Sequence, residues 1–504
     1  MIEPYFLSIL IFSPLVGMLI VAITPKTLTS TVKWVGFLAT LLPLALAAIA
    51  YARFDRSVDF LQYVTSVPWI QIAVDPLTGQ RLEIDYALGI DGLSLTLILL
   101  TTVISTLAAA ASVNIDKAVK GYFLLFLLLE VGMLGVFCAQ NLILFFAFFE
   151  MTLVPTYFLI AKWGLAKREN AAFTFLLYNG AGSAVMLIAF IILFSTTGTL
   201  NIAELQALDL ASLGSGNPLA QPGFRMALVA AIIAAFAVKL PIFPLHSWML
   251  RVHAEAPVPT VMIHSGILLK IGAYGLIRFA LGLFPHEFAE LSVALAVFGL
   301  INLLYGALIA FKQTDFRMVL AYSSVSHMGI VLLGLAALNA AGVQGAVFQV
   351  ISHGLISALL FFLVGAIYAR TGTTEIRYIS GLSSSAPRIG GFLLAGGLAS
   401  LGLPGMSGFI SEFTAFLGLF EQKPLLAAIG TIGIILTAVY MLRAVMNMTF
   451  GKASFKNIGD LRPVEWGPSV VLLAFILWIG VNPAVISEPL HAVVDSVLVA
   501  LGGS

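Results

Sequence analysis

The sequence predicts an all-α integral membrane protein with about fourteen transmembrane helices. Sixty per cent of the 504 residues are hydrophobic and only 10% are charged, whereas a soluble domain usually has about 25% charged residues. Apolar runs of about 20 residues, the length needed to cross a bilayer, recur from one end of the chain to the other. Lys and Arg residues are dense in alternate loops and sparse between them. The lipid bilayer is therefore the expected solvent of this chain.

The predicted spans follow one another with short polar breaks. They cover residues 4–23, 32–52, 88–112, 120–138, 141–162, 172–196, 225–244, 258–281, 288–311, 317–338, 343–369, 390–420, 425–449 and 467–487. A short amphipathic tail is expected near 488–501. The first segment has neither a basic stretch before it nor an Ala-x-Ala cleavage site, so we expect a retained helix and not a cleaved signal.

The distribution of positive charge predicts the orientation. Most of the 25 Lys and Arg residues lie in or beside loops that follow odd-numbered spans. Because cytoplasmic loops collect Lys and Arg, we expect those loops in the cytoplasm and both termini on the outer face of the plasma (inner) membrane. Lys239 and Lys270 fall inside apolar segments and belong to neither set of loops.

Two compositional features exclude several function classes. Cys138 is the single cysteine, which excludes a disulfide within the chain and a cysteine-ligated iron–sulfur cluster. The sequence has no glycine-rich dinucleotide fingerprint and no Walker loop. We therefore expect no cofactor in this chain and no nucleic-acid partner, and any energy must come from an ion gradient or a partner subunit.

Ionisable residues inside the predicted spans are the candidate functional residues. A charge at the bilayer centre costs about 2.5–3.5 kcal/mol on insertion scales, so it persists when it is paired, hydrated or useful. The candidates for a proton relay are Glu130, Glu150, Lys239, Lys270, His327, His353 and Glu412. The structural alternatives are a neutral carboxyl bonded to a neighbouring helix, a snorkelling lysine and a packing histidine.

The span containing Lys239 is expected to be broken. Pro241 and Pro244 lack an N–H and free the carbonyls of Ala237 and Leu240, four residues earlier. In lipid, freed carbonyls must face protein or water. The break beside Lys239 is therefore a candidate place for water to enter the membrane.

Two further segments favour inward-facing polar groups. Gly266, Lys270 and Ala273 share a helix face, and small residues there allow another helix to approach closely. His327 and His353 lie on consecutive spans among hydroxyl residues, and histidine suits proton transfer because it titrates near neutral pH.

An internal repeat is indicated by a second break. Leu403-Pro404 repeats the step Leu240-Pro241, and Glu412 follows this second break. Aligning the two steps gives two blocks of five helices, each with its fourth helix broken. An odd number of helices gives the copies opposite topology, the arrangement typical of transporters. The expected regions are 1–119, 120–285, 286–449 and 450–504, with a proton half-channel in each five-helix block.

The chemistry of a buried lysine suggests a mechanism. An exposed lysine has a pKa of about 10.4 and rarely releases its proton. Burial favours release and a nearby carboxylate opposes it, so a lysine alternately paired with a glutamate and then left alone acts as a proton switch. We expect Glu150 and Lys239 to form such a pair.

Several motifs resemble a known family, the antiporter-like subunits of respiratory complex I, and among them the subunit M (NADH dehydrogenase subunit 4) family. The resemblance covers nearly the whole chain. It is carried by Gly89-Ile-Asp91-Gly-Leu-Ser, Phe149-Glu150-Met-Thr-Leu-Val-Pro155, Lys239-Leu-Pro-Ile-Phe-Pro-Leu-His246, Gly266-Ile-Leu-Leu-Lys270, Ala321-Tyr-Ser-Ser-Val-Ser-His327-Met-Gly and Leu403-Pro404-Gly.

The resemblance implies a non-redox subunit of a proton-translocating NADH-quinone oxidoreductase. Glu150 and Lys239 match the family's acid–lysine pair, Lys270 its central lysine and Glu412 its terminal acid. It implies that NADH, FMN, iron–sulfur clusters and quinone are bound by partner subunits. The implied partners are the other membrane-arm subunits, including other antiporter-like subunits, and the lipid bilayer.

Two departures and three rivals accompany this interpretation. Where the family usually has Leu-Pro-Asp-Ala-His the chain has Met249-Leu-Arg251-Val-His253, and where it has Lys-Arg the chain has Arg317-Met318. These changes concern loop contacts and the electron-input partner.

A subunit of a multisubunit Na⁺/H⁺ antiporter or of a membrane-bound hydrogenase is the nearest alternative. A non-transporting membrane scaffold does not explain why costly charges accumulate at one depth. The missing cofactor ligands exclude a self-contained redox enzyme, unless His327 and His353 bind haem.

Overall fold

The computed structural model describes residues 5–501 except 59, 75–80, 209, 211–212, 215 and 456–457. Within these residues, 13 helices are long and apolar enough to cross a bilayer. The predicted twelfth span consists of two shorter helices in tandem, which accounts for the difference from fourteen. The all-α membrane class is confirmed. Residue 4, where the first span was expected to begin, and the ends that define the orientation lie outside the described residues.

The N-terminal region contains one feature that the sequence analysis missed. It comprises α1 (Phe6–Ile23), α2 (Thr29–Arg53), β1 (Gln62–Val74), β2 (Arg81–Ile90) and α3 (Gly92–Ala111). The two strands pair antiparallel, and they occupy a stretch that was left without structure. Because β2 runs to Ile90, the third helix begins at Gly92 and not near residue 88. Asp91 caps it by accepting a hydrogen bond from the Ser94 N–H at 2.9 Å.

The first five-helix block is continuous up to its fourth crossing. Its elements are α4 (Val119–Cys138), α5 (Leu142–Trp163), α6 (Arg168–Thr197), the short α7 (Ile202–Ala207), α8 (Pro222–Lys239), α9 (Ser247–Glu255), α10 (Val258–Ile263), a π-helical turn (His264–Leu268), α11 (Leu269–Gly275) and a second π-helical turn (Leu276–Leu281). The last four run on as a single span.

The second block and the C-terminal region have the same helical character. Their elements are α12 (Pro285–Glu290), α13 (Ser292–Lys312), α14 (Phe316–Ala336), α15 (Ala340–Thr371), α16 (Leu382–Ser385), α17 (Pro387–Ser400), α18 (Ser407–Gln422), α19 (Pro424–Thr449), α20 (Pro463–Val481) and α21 (Ala484–Ala500). The helix α6 packs on α8, and α15 packs on α18. In both blocks the third crossing thus contacts the interrupted fourth one. The proposed region boundaries stay a prediction.

Burial separates the helices into an enclosed core and a lipid-facing shell. In the apolar stretch of 18 residues that qualifies each helix as a span, the share of buried residues is 100% in the span 258–281, 94% in α15 and 89% in α14. The corresponding fraction is only 28% in α2 and 33% in α19. A polar side chain on the core helices therefore meets protein on all sides and not lipid.

The first break, residues 240–246, is closed by protein groups. Pro241 has a φ of 20°. The N–H of Ile242 donates to the carbonyl of Ala237 at 2.9 Å, so that carbonyl has a backbone partner despite the break. The side chain of Asn302 on α13 accepts from the Phe243 N–H at 2.7 Å and donates to the Pro241 carbonyl at 3.2 Å. One amide from the second block thus holds the unwound backbone of the first.

The second break, residues 401–406, depends on glycine. Gly402 and Gly405 have φ values of 79° and 89°, a left-handed conformation that glycine adopts without a Cβ clash. A Cβ on Gly402 would also lie 2.9 Å from Oε2 of Glu412. The turn therefore places its backbone directly against the carboxylate of the following helix.

Candidate functional site

Five of the predicted relay residues lie on buried segments of the core. Lys239 ends α8, Lys270 lies in α11, His327 in α14, His353 in α15 and Glu412 in α18. All five side chains are buried. Each is on a different helix, so the tertiary structure alone decides which of them meet.

Lys239 lies among aromatic rings. Its Nζ atom is 4.8 Å from the ring centre of Phe149 and 5.7 Å from that of Phe175. The residue is 1% exposed, and Nζ has no hydrogen-bond partner among the described residues. Cation–π contacts return about 0.5–2 kcal/mol each, less than the several kcal/mol that an unpaired buried charge costs.

The predicted Glu150–Lys239 pair is an electrostatic pair without a hydrogen bond. Glu150 acts on Lys239 through its charge. Lys239 Nζ and Glu150 Oε1 nevertheless both lack a hydrogen-bond partner within the described part of the chain. The attraction therefore acts through space, and a small displacement of either group would change it without breaking a bond.

A histidine pair that the sequence analysis did not select lies between the two lysines. His253 Nε2 and His264 Nδ1 are 3.0 Å apart, and both residues are 0% exposed. His264 interacts electrostatically with both Lys239 and Lys270. The available signal was His264 at the head of the segment that precedes Lys270, but nothing in the sequence placed His253 beside it.

Lys270 is directly bonded to the second block. Its Nζ atom lies 2.6 Å from His353 Nδ1, and His353 Nε2 lies 3.2 Å from Ser324 Oγ. Ser324 Oγ donates to the carbonyl of Leu320 at 3.0 Å, so Ser324 accepts from His353. A protonated Lys270 donating to a neutral His353 satisfies all of these bonds.

Close helix approach makes this contact possible, as the small residues predicted. A Cβ on Gly354 would lie 2.8 Å from the carbonyl oxygen of Gly266. Glycine at both positions lets the π-helical turn before Lys270 approach α15 next to His353.

His327 has two competing partners at one ring nitrogen. Its Nδ1 atom is 2.9 Å from Gln349 Nε2 and 3.4 Å from Glu412 Oε1. The Gln349 N–H needs a lone pair on Nδ1, whereas the carboxylate of Glu412 needs a hydrogen on it. A His327 with its hydrogen on Nε2 alone therefore accepts from Gln349, and a His327 with a hydrogen on Nδ1, either protonated or as the other neutral tautomer, donates to Glu412. Ser400 Oγ lies 3.4 Å from the other nitrogen, Nε2.

A small cavity joins these groups. It measures about 10 Å³ and is lined by His327, Gln349, Ser352, His353, Ile356, Ala399, Ser400, Gly408 and Glu412. The rings of His327 and His353 are 5.4 Å apart between centroids. A buried water needs about 10–15 Å³ and two to four polar partners, so this space is at the lower limit for one molecule.

Glu130 is the predicted residue that the structure does not join to the others. It is 0% exposed on α4, and neither carboxylate oxygen has a hydrogen-bond partner among the described residues. Direct contacts join Lys270, His353, His327 and Glu412 in series, and His253 to His264. The links from Glu150 to Lys239, from Lys239 to His264 and from His253 to Lys270 are electrostatic and include no hydrogen bond among the described residues. With the two added histidines the order is Glu150, Lys239, His264, His253, Lys270, His353, His327 and Glu412.

The chain is similar to proteins of one family over most of its length. The family described as NADH:quinone oxidoreductase/Mrp antiporter, TM, matches residues 139–437. NAD(P)H-quinone oxidoreductase chain 4 2 of Thermosynechococcus vestitus is 39% identical over 96% of this chain and 90% of its own. NADH-quinone oxidoreductase subunit M of Rhodobacter capsulatus is 35% identical over 96% and 94%.

A solved structure extends the similarity to the fold. A chain of respiratory complex I from Thermus thermophilus with bound NADH superimposes with a TM-score of 0.86 at 30% identity. The match covers 99% of this chain and 100% of the other. The chain therefore has a fold already seen in a respiratory complex.

Proposed function

The chain belongs to the NADH:quinone oxidoreductase/Mrp antiporter transmembrane family, and we propose that it is the proton-translocating, subunit M-type component of an NADH-quinone oxidoreductase. The observation that carries this proposal is the line of ionisable groups that runs from the partly buried Glu150 to the buried Glu412. Isolated charges in a membrane core are costly, and a continuous series of them at hydrogen-bonding or electrostatic distance is the arrangement that proton transfer requires.

The line divides into steps of different kinds. Neutralising Glu150 removes the negative charge that stabilises the ammonium of Lys239. Lys239 then releases its proton more readily, towards His264. The His253–His264 contact provides a lone pair and a donor between the lysines. Lys270 and His353 share a direct hydrogen bond, so a proton moves between them without water.

The last step is the exchange of partners at His327. A proton arriving on Nδ1 excludes the Gln349 N–H and favours Glu412. Transfer to Glu412 then restores the Gln349 bond. His327 therefore alternates between two hydrogen-bonded states, and each proton passage resets it.

We propose that this chain performs no electron transfer itself. NADH, FMN, the iron–sulfur clusters and quinone would be bound by partner subunits, and other antiporter-like subunits would flank this one in the membrane arm. The complex would lie in the plasma (inner) membrane with the Lys- and Arg-rich loops in the cytoplasm and both termini outside.

Replacing Glu150 with Gln in the assembled complex tests the proposal. Proton uptake per NADH oxidised, measured in inside-out membrane vesicles, is expected to fall about tenfold, because Lys239 loses its charged partner. Glu169→Gln is the matched control, since Glu169 is exposed at the start of α6. The proposal is wrong if both variants pump like the parent. Pumping that stops when Na⁺ is replaced by choline would instead indicate Na⁺ as the transported ion.

A further inference from the structure

The side-chain amide of Asn302 makes three hydrogen bonds to backbone groups outside its own helix. Its oxygen accepts from the Phe243 N–H at 2.7 Å. Its nitrogen donates to the carbonyl of Pro241 at 3.2 Å and to that of Val325 at 3.5 Å. The residue is 0% exposed. One buried side chain of α13 thus joins the first break to α14, the helix that holds His327.

A second side chain of α13 contacts the same break. The ring of Tyr305 lies 5.1 Å from the ring of Phe243 and 5.2 Å from that of His246, measured between ring centres. Tyr305 follows Asn302 by three residues, and residues three apart share a face of a helix. The first break is therefore bound to one face of α13 by a polar contact and by an aromatic one.

The helices α13 and α14 pack closely against each other. A Cβ on Gly329 of α14 would lie 2.5 Å from the carbonyl oxygen of Gly299 of α13, and a Cβ on Gly306 would lie 2.7 Å from the backbone nitrogen of Ser326. The Ser326 hydroxyl also donates to the carbonyl of Leu303 at 2.9 Å. Close-packed interiors transmit displacement, so a shift of α14 also shifts α13 and the break that is bound to it.

Lys239 depends on the backbone of the break for its position. It lies two residues before Pro241. Its Nζ atom lies over the rings of Phe149 and Phe175 and has no hydrogen-bond partner among the described residues. The attraction between Lys239 and Glu150 acts through space and weakens with distance. The position of the break therefore sets the strength of that attraction.

We propose that Asn302 is a positioning residue that sets the distance between Lys239 and Glu150 according to the position of α13 and α14. The inference rests on the proposed function, because it assigns a control to the Lys239–Glu150 pair of the same line. A shift of α14 during the exchange of partners at His327 reaches Lys239 through Asn302. The second block thereby influences when the first one releases its proton.

Hydrogen–deuterium exchange of the purified complex, read by mass spectrometry on peptides that cover the break, tests the geometry. Asn302→Leu keeps a side chain of similar size and removes all three hydrogen bonds, so the Phe243 amide is expected to exchange about tenfold faster. Asn339→Leu is the matched control, because Asn339 joins α15 to the carbonyl of Gly418 on α18 and lies at neither break. Unchanged exchange of residues 240–246 in Asn302→Leu would overturn the proposal.

Proton pumping in inside-out vesicles tests the role of the residue. Asn302→Leu is expected to lower proton uptake per NADH oxidised about tenfold, with the amount of assembled complex and the uncoupled rate of NADH oxidation close to those of the parent. Asn339→Leu is expected to keep the parent's ratio of protons to NADH. Asn302→Ala, with the same expected loss, takes the place of Asn302→Leu if the latter does not assemble. Assembly, NADH oxidation and proton uptake that fall in the same proportion would show a structural role and overturn the proposal.

A conservative variant sharpens this test. A neutral aspartic acid at position 302 can accept from the Phe243 N–H and donate to one carbonyl, so it keeps two of the three bonds. Asn302→Asp is therefore expected to lose only about threefold in proton uptake per NADH. A loss as large as that of Asn302→Leu, with the Phe243 amide still protected from exchange, would contradict a role that acts through the break.

Failure of this inference and failure of the proposed function give different results. If Glu150→Gln and Lys239→Met lose pumping while Asn302→Leu pumps like the parent, the line works and Asn302 does not control it. If all three variants pump like the parent, the chain conducts no protons and both proposals are wrong.

Discussion

Lys239 and Glu412 stand beside the two helix breaks, and their surroundings differ. The Lys239 ammonium lies over two aromatic rings and has no hydrogen-bond partner among the described residues. Glu412 lies within 3.4 Å of His327 and lines a polar cavity. Two blocks with the same order of helices therefore hold their charges in opposite ways.

The difference shows how one topology serves two tasks. A charge without hydrogen bonds has a high energy that changes with every neighbouring charge, which suits the end that responds to Glu150. A hydrogen-bonded histidine–carboxylate group changes its protonation state by exchanging partners, which suits transfer. The Lys239 end therefore responds to the charge of Glu150, and the Glu412 end passes the proton on.

The largest expected effect is at Lys239. Lys239→Met is expected to reduce NADH-driven proton uptake more than about tenfold, because the switching charge is lost. The thermal stability of the purified complex is expected to stay equal or rise, since an unpaired buried charge is replaced by an apolar chain of similar size. Lys312→Met, at the exposed end of α13, is the control. A clear loss of stability in Lys239→Met would show that its charge is compensated after all.

A smaller effect is expected at Glu412. Glu412→Gln can still accept a hydrogen bond from His327 but cannot take up its proton, so proton uptake should fall about fivefold to tenfold. Assembly and thermal stability should be close to those of the parent. Glu421→Gln, on the same helix and exposed, provides the comparison. If Glu412→Gln destabilised the complex as strongly as it slowed pumping, the acid would be structural.

The smallest expected effect comes from the turn that supports Glu412. Gly402→Ala puts a Cβ on a residue with φ of 79°, 2.9 Å from the carboxylate, at a cost of about 1–2 kcal/mol. We expect a lower melting temperature of the complex and about threefold slower pumping. Gly391→Ala is the control, because a Cβ there would meet open space. Equal melting temperatures would mean that the second break tolerates a side chain.

Much of the fold could be predicted because the bilayer imposes a simple rule on sequence. Every spanning helix needs a long apolar run, so the spans and both proline-marked breaks were identifiable. The antiparallel pair β1–β2 was missed because a strand needs no long apolar run, so that rule does not report it. The second break was predicted at Leu403-Pro404, but the left-handed backbone of Gly402 and Gly405 that forms it was not.

The candidate site was predictable residue by residue but not as an arrangement. A charged residue in an apolar run is conspicuous at any position, and this selected Lys239, Lys270 and Glu412. Glu130 has the same signal, yet the described structure gives it no partner. His253 was missed because it lies outside the long apolar runs.

Local composition is enough to specify the membrane class, the order of the spans, the positions of the breaks and the identity of most buried ionisable residues. The packing of the helices adds that Asn302 closes the first break, that Lys239 has aromatic neighbours, and that Lys270 bonds His353. Those contacts join residues far apart in the chain, and no local pattern records which helices pack together.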